Sequence, residues 1–294
     1  MKHQYTSVNE YLTKEYGEKV YKLSLNAGLT CPNRDGSIGT NGCAFCSEGG
    51  SGDFAMAEGG ITKQIEDAKA LISAKTSCRK FIAYFQAFTN TYGPVEYLRT
   101  IFTEAINHPD VVILSIATRC DCISDDVLKL LVELNQIKPV WIEMGLQSIH
   151  PQTLADMHCG YTFEQFKKTT SLLSDAGIDV IAHIILGFPN ETREMMLESV
   201  KEACKLPIRG IKLQLLHILK NTELARMYAD SPWPLMTMEE YCQLIVDCIA
   251  IIPRNIVIHR ITGDGPRSLL IAPTWSTDKK RVLNTINQLL STRL

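Results

Sequence analysis

The chain has 294 residues, 45% of them hydrophobic, and a formal net charge of −2. That length suits one large α/β domain with a sizeable core, and the near-neutral balance gives no whole-chain attraction to nucleic acid, which leaves only a local basic patch for such a partner. No run of eighteen apolar residues marks a membrane span, and the opening stretch Met1 to Tyr5 lacks the apolar segment of a secretory leader.

In chain order, apolar β-rich runs fall at Val20–Leu25, Phe81–Phe85, Val111–Ile116, Val140–Met144, Val180–Leu186 and Ile211–Leu216. Helical patterns lie between them at Ile61–Ser73, Pro94–Asn107, Ser124–Asn135, Phe163–Ala176 and Glu191–Lys205. Thr162 with Gln165 spells a capping box, Pro94 suits a first helical turn, and Gly177 and Gly210 stand where helices end. Six strand-then-helix units predict a parallel sheet with helices outside. After Leu216 the rhythm changes to helices near Thr222–Tyr228 and Met238–Ile251, a strand-like run Ile256–Ile261, and a last helix from about Asp278 to Leu290. No Gly/Ser linker precedes this part, so residues 217–294 are expected as an extension packed on a barrel built from residues 1–216.

Ten cysteines with no leader predict a reducing, cytoplasmic setting, where thiols serve metals or cores rather than disulfides. Three of them, Cys31, Cys43 and Cys46, share the loop 29–52 in a C-x11-C-x2-C pattern with Phe45 before the last. Three thiolates can hold three irons of a [4Fe–4S] cluster and leave the fourth iron open. A closed electron-transfer cluster or a structural zinc normally takes four protein ligands. The competing reading is a structural zinc knuckle completed by a distant Cys78 or His183. The loop follows the first strand, where parallel barrels keep their active sites, and Gly36, Gly39, Gly42, Gly49, Gly50 and Gly52 allow tight turns within it.

On these residues the chain resembles the radical S-adenosylmethionine (radical SAM) enzymes, and within them the YhcC/YtqA group, relatives of the Elongator catalytic subunit. The commonest motif of that superfamily is C-x3-C-x2-C. The longer spacing here, with Cys31-Pro-Asn-Arg-Asp-Gly36 and a following Gly-Ser-Gly52, is similar to the YhcC/YtqA pattern instead. The resemblance runs from about Lys19 to the C-terminus. It implies a partial (β/α)6 TIM-type barrel with a C-terminal α/β extension, a cluster on Cys31, Cys43 and Cys46, and S-adenosylmethionine (SAM) on the open iron. Reduction, by an electron donor such as flavodoxin or ferredoxin, would cleave SAM to a 5′-deoxyadenosyl radical that takes a hydrogen atom from substrate. The cofactor carries that chemistry and the protein positions it.

The same resemblance distributes roles along the strands. Phe45 falls where the family places an aromatic near adenine, with a simple loop anchor as the alternative. After strand two, Tyr84-Phe-Gln86-Ala-Phe-Thr89-Asn90-Thr91 replaces a Gly-Gly-Glu segment, so Gln86, Thr89 and Asn90 are expected at the SAM amino group. Strand three ends in Thr118-Arg119-Cys120-Asp121. Thr118 is expected beside the cofactor. Arg119 is either a bidentate clamp for a carboxylate or phosphate or an exposed salt bridge. Strand four carries Glu143 and Gln147 in an E-x-G-x-Q-S pattern, and buried polar groups of that kind need partners such as ribose hydroxyls. His158-Cys159-Gly160-Tyr161 stands where relatives carry Asn-Arg-Gly-His, which removes a carboxylate-binding arginine. On strand five, His183 is a satisfied core histidine or a SAM or substrate contact, and Gly187 opens a Gly-x-Pro turn expected against adenine. On strand six, Lys212, Gln214 and His217 face either the lumen or solvent, and Lys212 and His217 are candidates for catalysis with Arg119.

Members related to the YtqA group are associated with the wobble uridine of tRNA, which implies 5-carboxymethylaminomethyl-(2-thio)uridine as substrate and the 5-aminomethyl form as product. Arg119, Lys212 or Lys220 would then grip the carboxylate, and the anticodon nucleotide would be splayed into the mouth. Arg254, Arg260, Arg267 and the run Lys279-Lys280-Arg281 offer local cations for tRNA phosphates, with a solvated helix face as the bland reading of that run. A radical SAM enzyme on a small molecule or peptide, and a noncatalytic metal-bearing interaction protein, are the other classes the residues leave open.

Overall fold

The structure is a computed structural model that describes residues 5–50, 52–57, 59–73, 76, 78–263 and 265–292. Ser51 of the cysteine loop and Asp264 lie outside the described residues. Helix α1 (Val8–Tyr16) leads into β1 (Val20–Leu25), α2 (Ile61–Ser73), β2 (Lys80–Phe85), α3 (Val95–Asn107), β3 (Val111–Arg119), α4 (Asp125–Asn135) and β4 (Val140–Gln147). Then come α5 (Pro151–Asp156), α6 (Phe163–Asp175), β5 (Asp179–Leu186), α7 (Arg193–Ala203) and β6 (Gly210–Leu215). The C-terminal part holds β7 (Ile218–Leu219), α8 (Glu223–Asp230), α9 (Met238–Ile251), β8 (Val257–Arg260), β9 (Leu270–Ala272) and α10 (Lys279–Thr292).

Six expected strand–helix units form one parallel sheet in the order β1-β2-β3-β4-β5-β6, and β8 extends it as a seventh strand beside β6. The extension therefore does more than pack on the barrel, since its strand pairs Lys212 with Arg260 in the sheet itself. Strands covered on both faces read as nearly unbroken apolar runs, which is why their positions are visible in the sequence. Both β3 and β4 run past those apolar runs, to Arg119 and Gln147, and so carry polar side chains to the C-terminal mouth.

Helix α1 has a capping box, in which Ser7 and Glu10 bond reciprocally, and it ends at Gly17 in the left-handed region. Its buried Leu12 joins Val20, Ile82, Ile113, Trp141 and Ile181 in a small apolar cluster apart from the main core. That cluster gathers residues near the N-terminal ends of β1 to β5, so α1 closes the bottom of the barrel. The opposite end stays open. There the short antiparallel pair β7–β9 carries the segment from Gly265 to Lys279 to the edge of the mouth. No helix among the described residues is long and apolar enough to cross a membrane.

Candidate active site

A cavity of about 780 Å³ opens at the C-terminal ends of the strands. Cys31, Cys43 and Cys46 line one wall of it, and all three are free thiols. The eleven-residue spacer is folded back by the residues that follow Cys31. The Arg34 and Asp35 amides bond to the Cys31 carbonyl at 2.8 and 3.2 Å, and the Gly42 amide bonds to the Asn33 carbonyl at 2.7 Å. Buried Asn33 donates from Nδ2 to Cys43 Sγ at 3.4 Å and to the His158 carbonyl at 2.7 Å. Arg34 donates to the Ser47 carbonyl at 2.5 Å, just beyond Cys46. A spacing that is long in sequence thus becomes a compact three-thiol wall.

The thiols are electrostatically unequal. A hydrogen bond with the Cys159 thiol, then the Cys46 thiol, the Arg119 charge and Asn33, hold Cys43 well below the ordinary thiol range against the opposing effect of burial. Its partner Cys46 is pushed up by the same pairing and by burial. A lowered thiol of this kind is the form suited to bind a metal. Sequence reasoning passes over Cys159, because a lone cysteine outside the loop carries no spacing signal. Backbone ties bring its segment there: the Ala44 amide bonds to the Met157 carbonyl at 3.0 Å.

At the floor of the cavity, Glu143 is a hub with a fully buried side chain. Its Oε1 accepts from Lys22 and from the Ser115 hydroxyl at 2.8 Å, while Oε2 bonds Lys212 and lies 3.0 Å from His183 Nε2. Neighbouring strands place these side chains in one layer, with His183 paired to Lys212 across β5 and β6 and Ser115 to Tyr84 across β3 and β2. The ammoniums of Lys22 and Lys212 stand 4.3 and 4.9 Å from the centroid of the Tyr84 ring. Despite burial, the two lysines hold Glu143 well below the usual carboxylate range. Burial drives His183 down to about 4, so its ring is neutral at neutral pH.

The cavity gathers most of the expected site residues: the three cysteines with Phe45, Gln86, Thr89, Thr118, Arg119, Glu143, Gln147, His183, Lys212, Gln214 and His217 all line it. Two expected residues lie outside the cavity lining. Asn90 is fully buried; its amide nitrogen donates to the Phe85 and Ala117 carbonyls at 3.1 and 3.0 Å and anchors the loop after β2, while its buried Oδ1 has no hydrogen-bond partner. Gly187 does not line the cavity; its amide points to Met196 Sδ, and the neighbouring Phe188 ring packs 5.8 Å from Phe45.

The catalytic candidates differ in their surroundings. Arg119 lines the cavity with its fork bonded to Asp121, at 2.9 and 2.7 Å, and stacks 5.0 Å from the Tyr161 ring, so it forms the salt bridge of the second expectation, buried instead of exposed. Lys220 donates to the Ser268 carbonyl and is absent from the cavity lining. His217 lies at the mouth, 3.0 Å from the Ser276 hydroxyl. Lys212 sits at the floor. Lys22 and Tyr84, to which no sequence pattern assigns a role, belong to the same charged layer.

The cavity fits a site-differentiated cluster and SAM on its own chemistry. Three thiols with no fourth ligand in the loop match three irons. Beyond them, Gln147 holds a left-handed backbone at φ 66°, and its buried Oε1 has no hydrogen-bond partner. Such strain and an unmet acceptor persist where a ligand completes the site. Gly145 leaves the room this needs, because a Cβ there would come 2.5 Å from Gln147 Nε2. Gln147 would thus hold a hydroxyl or ammonium group of SAM, with Phe45, backed by buried Phe188, as an apolar wall.

Known proteins point the same way. The profile of the radical SAM superfamily matches residues 35–203, and that of the radical SAM C-terminal domain matches residues 208–292. The chain is 43% identical over 291 residues to the uncharacterized protein YtqA of Bacillus subtilis, covering 99% of this chain and 90% of that protein. It is 27% identical over 163 residues to a tRNA uridine(34) acetyltransferase of Methanocaldococcus jannaschii, covering 54% of this chain and 30% of that protein. Among solved structures, the archaeal Elp3 of Methanocaldococcus infernus matches with a TM-score of 0.67 at 18% identity, over 92% of this chain and 63% of that one.

Proposed function

The chain belongs to the radical SAM superfamily, and from that premise we propose that it is a tRNA-modifying enzyme acting on the wobble uridine. The reaction is removal of the carboxymethyl group from 5-carboxymethylaminomethyl-(2-thio)uridine, giving the 5-aminomethyl form. It balances if the methylene loses a hydrogen atom to the SAM-derived deoxyadenosyl group and one electron back to the cluster, after which water would hydrolyse the imine and release the two carbons as glyoxylate. When bound, the [4Fe–4S] cluster and SAM supply hydrogen-atom abstraction. The chain's own residues hold the cluster on Cys31, Cys43 and Cys46, seat SAM along Phe45, Gln86, Thr89, Thr118 and Gln147, and present substrate from the open mouth. The methylene between amine and carboxylate is a suitable hydrogen source, because both neighbours stabilise the resulting carbon radical.

One observation carries the substrate choice: the cavity is cationic at both levels. Arg267 and Lys279 line its rim and Lys212 its floor. Lys279, Lys280 and Arg281 occupy the first turn of α10, which holds no acidic residue. Cations there oppose the helix dipole; the Asp278 carboxylate, which accepts from the Arg281 amide at 3.1 Å, offsets part of that cost and an RNA phosphate backbone would offset more. A nucleotide entering from the rim would meet cations outside with its phosphates and inside with its carboxylate. Similarity to a tRNA uridine(34) acetyltransferase supports the same substrate class. Flavodoxin or ferredoxin as electron donor, and a cytoplasmic setting, belong to this proposal.

The test is turnover by anaerobically reconstituted enzyme with SAM, a reductant and an anticodon stem-loop bearing the carboxymethylated uridine. Formation of the 5-aminomethyl nucleoside by mass spectrometry is the expected result. SAM cleavage without any change in the RNA would move the enzyme to a small-molecule or peptide substrate.

A further inference from the structure

The floor layer contains an imbalance of charge. A buried ion pair normally balances one cation with one anion, because each charge taken from water costs several kcal/mol unless it is compensated. Here one carboxylate serves two lysines. The Glu143 side chain is 0% exposed, Lys212 6% and Lys22 27%, and both ammoniums bond to it from opposite oxygens. The other groups bonded to Glu143 add no negative charge: Ser115 is neutral, and His183 is an uncharged ring at neutral pH. Tyr84 keeps its proton, since burial and the nearby Glu143 push its phenol well above the ordinary range. Burial pulls Lys212 well below the ordinary lysine range and Glu143 opposes that shift, so the bond to Glu143 is what holds its ammonium. With both lysines protonated, the lysine–carboxylate–lysine unit carries one excess positive charge, to which Arg260, paired with Lys212 across β6 and β8 and also lining the cavity, adds.

We propose that Lys22, by neutralising Glu143 from the side away from the cavity, turns Lys212 into a receptor for one carboxylate of the substrate. Lys212, Glu143 and Tyr84 line the cavity, whereas Lys22 does not. Lys22 is therefore a positioning residue and Lys212 the group that meets the ligand. Without Lys22, the Lys212–Glu143 pair is internally balanced and contributes no net attraction for a second anion, which leaves only the neighbouring Arg260 to supply one. With Lys22, a single carboxylate completes the layer as two cations and two anions over an aromatic ring. The charge count favours a monoanion over a phosphate dianion, which would overshoot it beside Glu143. Ser115 and His183 hold the two oxygens of Glu143 in place and prevent it from swinging toward the ligand.

This inference rests on the wobble-uridine reading for the identity of the carboxylate, though not for its existence. The experiment compares three anticodon stem-loops binding to the reconstituted, unreduced enzyme with SAM. They carry 5-carboxymethylaminomethyluridine, its methyl ester, or 5-aminomethyluridine. Wild type is expected to bind the free carboxylate about tenfold more tightly than the ester, which corresponds to about 1.4 kcal/mol. Lys22→Met should cut that preference to about threefold or less while leaving ester affinity within about twofold, and Lys22→Arg should restore it. Iron content and melting temperature, read on the same samples, identify a variant that fails to fold, and Lys22→Gln then replaces Lys22→Met.

A carboxylate preference that stays undiminished in Lys22→Met or Lys22→Gln overturns the role of Lys22. No preference in wild type overturns the receptor. Failure of wild type to bind any of the three RNAs would count against the tRNA reading, and the receptor is then read with acetate by calorimetry. Acetate heat in wild type that disappears in Lys22→Met supports it, and no heat in either overturns it.

Discussion

Asn33 Nδ2 lies 3.4 Å from Cys43 Sγ while its second interaction, at 2.7 Å, reaches the carbonyl of His158. One amide thus ties the Cys43 thiol, proposed as a cluster ligand, to a segment 125 residues beyond Asn33. Hydrogen bonds to cluster sulfurs help to set reduction potential, so this contact has an electrochemical consequence as well as a structural one.

Replacing Asn33 with Ala removes an N–H donor from a thiolate that must carry more negative charge in the reduced cluster. The reduced state loses more than the oxidised one, and the midpoint potential should fall. A tenfold change in the reduction equilibrium corresponds to about 59 mV for one electron, which is the scale expected here. An EPR-monitored redox titration measures it, with iron content as the control for loss of the cluster. An unchanged potential at full iron occupancy would contradict the assignment.

The cluster itself separates the ten cysteines into two groups. Changing Cys31, Cys43 and Cys46 together to Ala should abolish iron binding and the visible absorbance at about 400 nm typical of iron–sulfur thiolate ligation. Changing Cys204, Cys242 and Cys248 to Ala should leave both intact. Cys242 and Cys248 are core residues of α9, so that variant should lose stability, on the order of 1 kcal/mol per buried thiol, without losing iron. Full iron in the first variant would refute the cluster assignment.

Much of this is legible in the chain. The strands show because doubly covered strands are apolar throughout, and the cysteine loop shows because three thiolates in so short a stretch need a common task. Helix α1 does not show, since Val8–Tyr16 is largely polar and only its Leu12 is buried. The place of β8 is hidden for a different reason: Ile256–Ile261 reads as a strand, but nothing local says that it pairs with β6. Lys22 alternates with apolar neighbours like any half-exposed residue, and its partner Glu143 is 121 positions away. Arg119 is open to two readings in the sequence, and Asp121, two residues on, is the available signal for the ion pair that occupies it.

Acid should destabilise the protein through His183. Its folded value is depressed to about 4, whereas an unfolded histidine takes up its proton near 6.5. Between those values the unfolded chain holds the proton and the folded chain does not, so stability is full above about pH 6.5 and falls as pH drops toward 4. The loss at the foot of that window is on the order of 3 kcal/mol. Buried His259 is shifted the same way and adds slope of the same sign. Urea midpoints at pH 7 and pH 4.5 should therefore converge in His183→Gln relative to wild type. Identical slopes in both proteins would place the proton uptake elsewhere.

The first turn of α10 offers a pair of opposed effects. Neutralising Lys279, Lys280 and Arg281 to Gln should weaken tRNA binding and reduce its salt dependence by roughly one unit of slope for each phosphate that is no longer neutralised. The same change should raise stability, by about 0.3–1 kcal/mol per cation removed from the positive end of the helix, less where the cation faces an acidic group, as Arg281 faces Glu239 at 3.9 Å. Binding titrations over a salt series, with thermal melts alongside, read both. A solvated face with no RNA partner would show the stability gain alone.

The most direct measurement is nucleoside mass spectrometry of tRNA from cells lacking this gene and any redundant enzyme. Loss of an enzyme that removes the carboxymethyl group should make 5-carboxymethylaminomethyluridine, with or without the 2-thio group, accumulate while the aminomethyl derivatives fall. Both pools should recover when the wild-type gene, but not the Cys31, Cys43 and Cys46 triple variant, is restored. Unchanged pools in the deleted cells would contradict the wobble-uridine function.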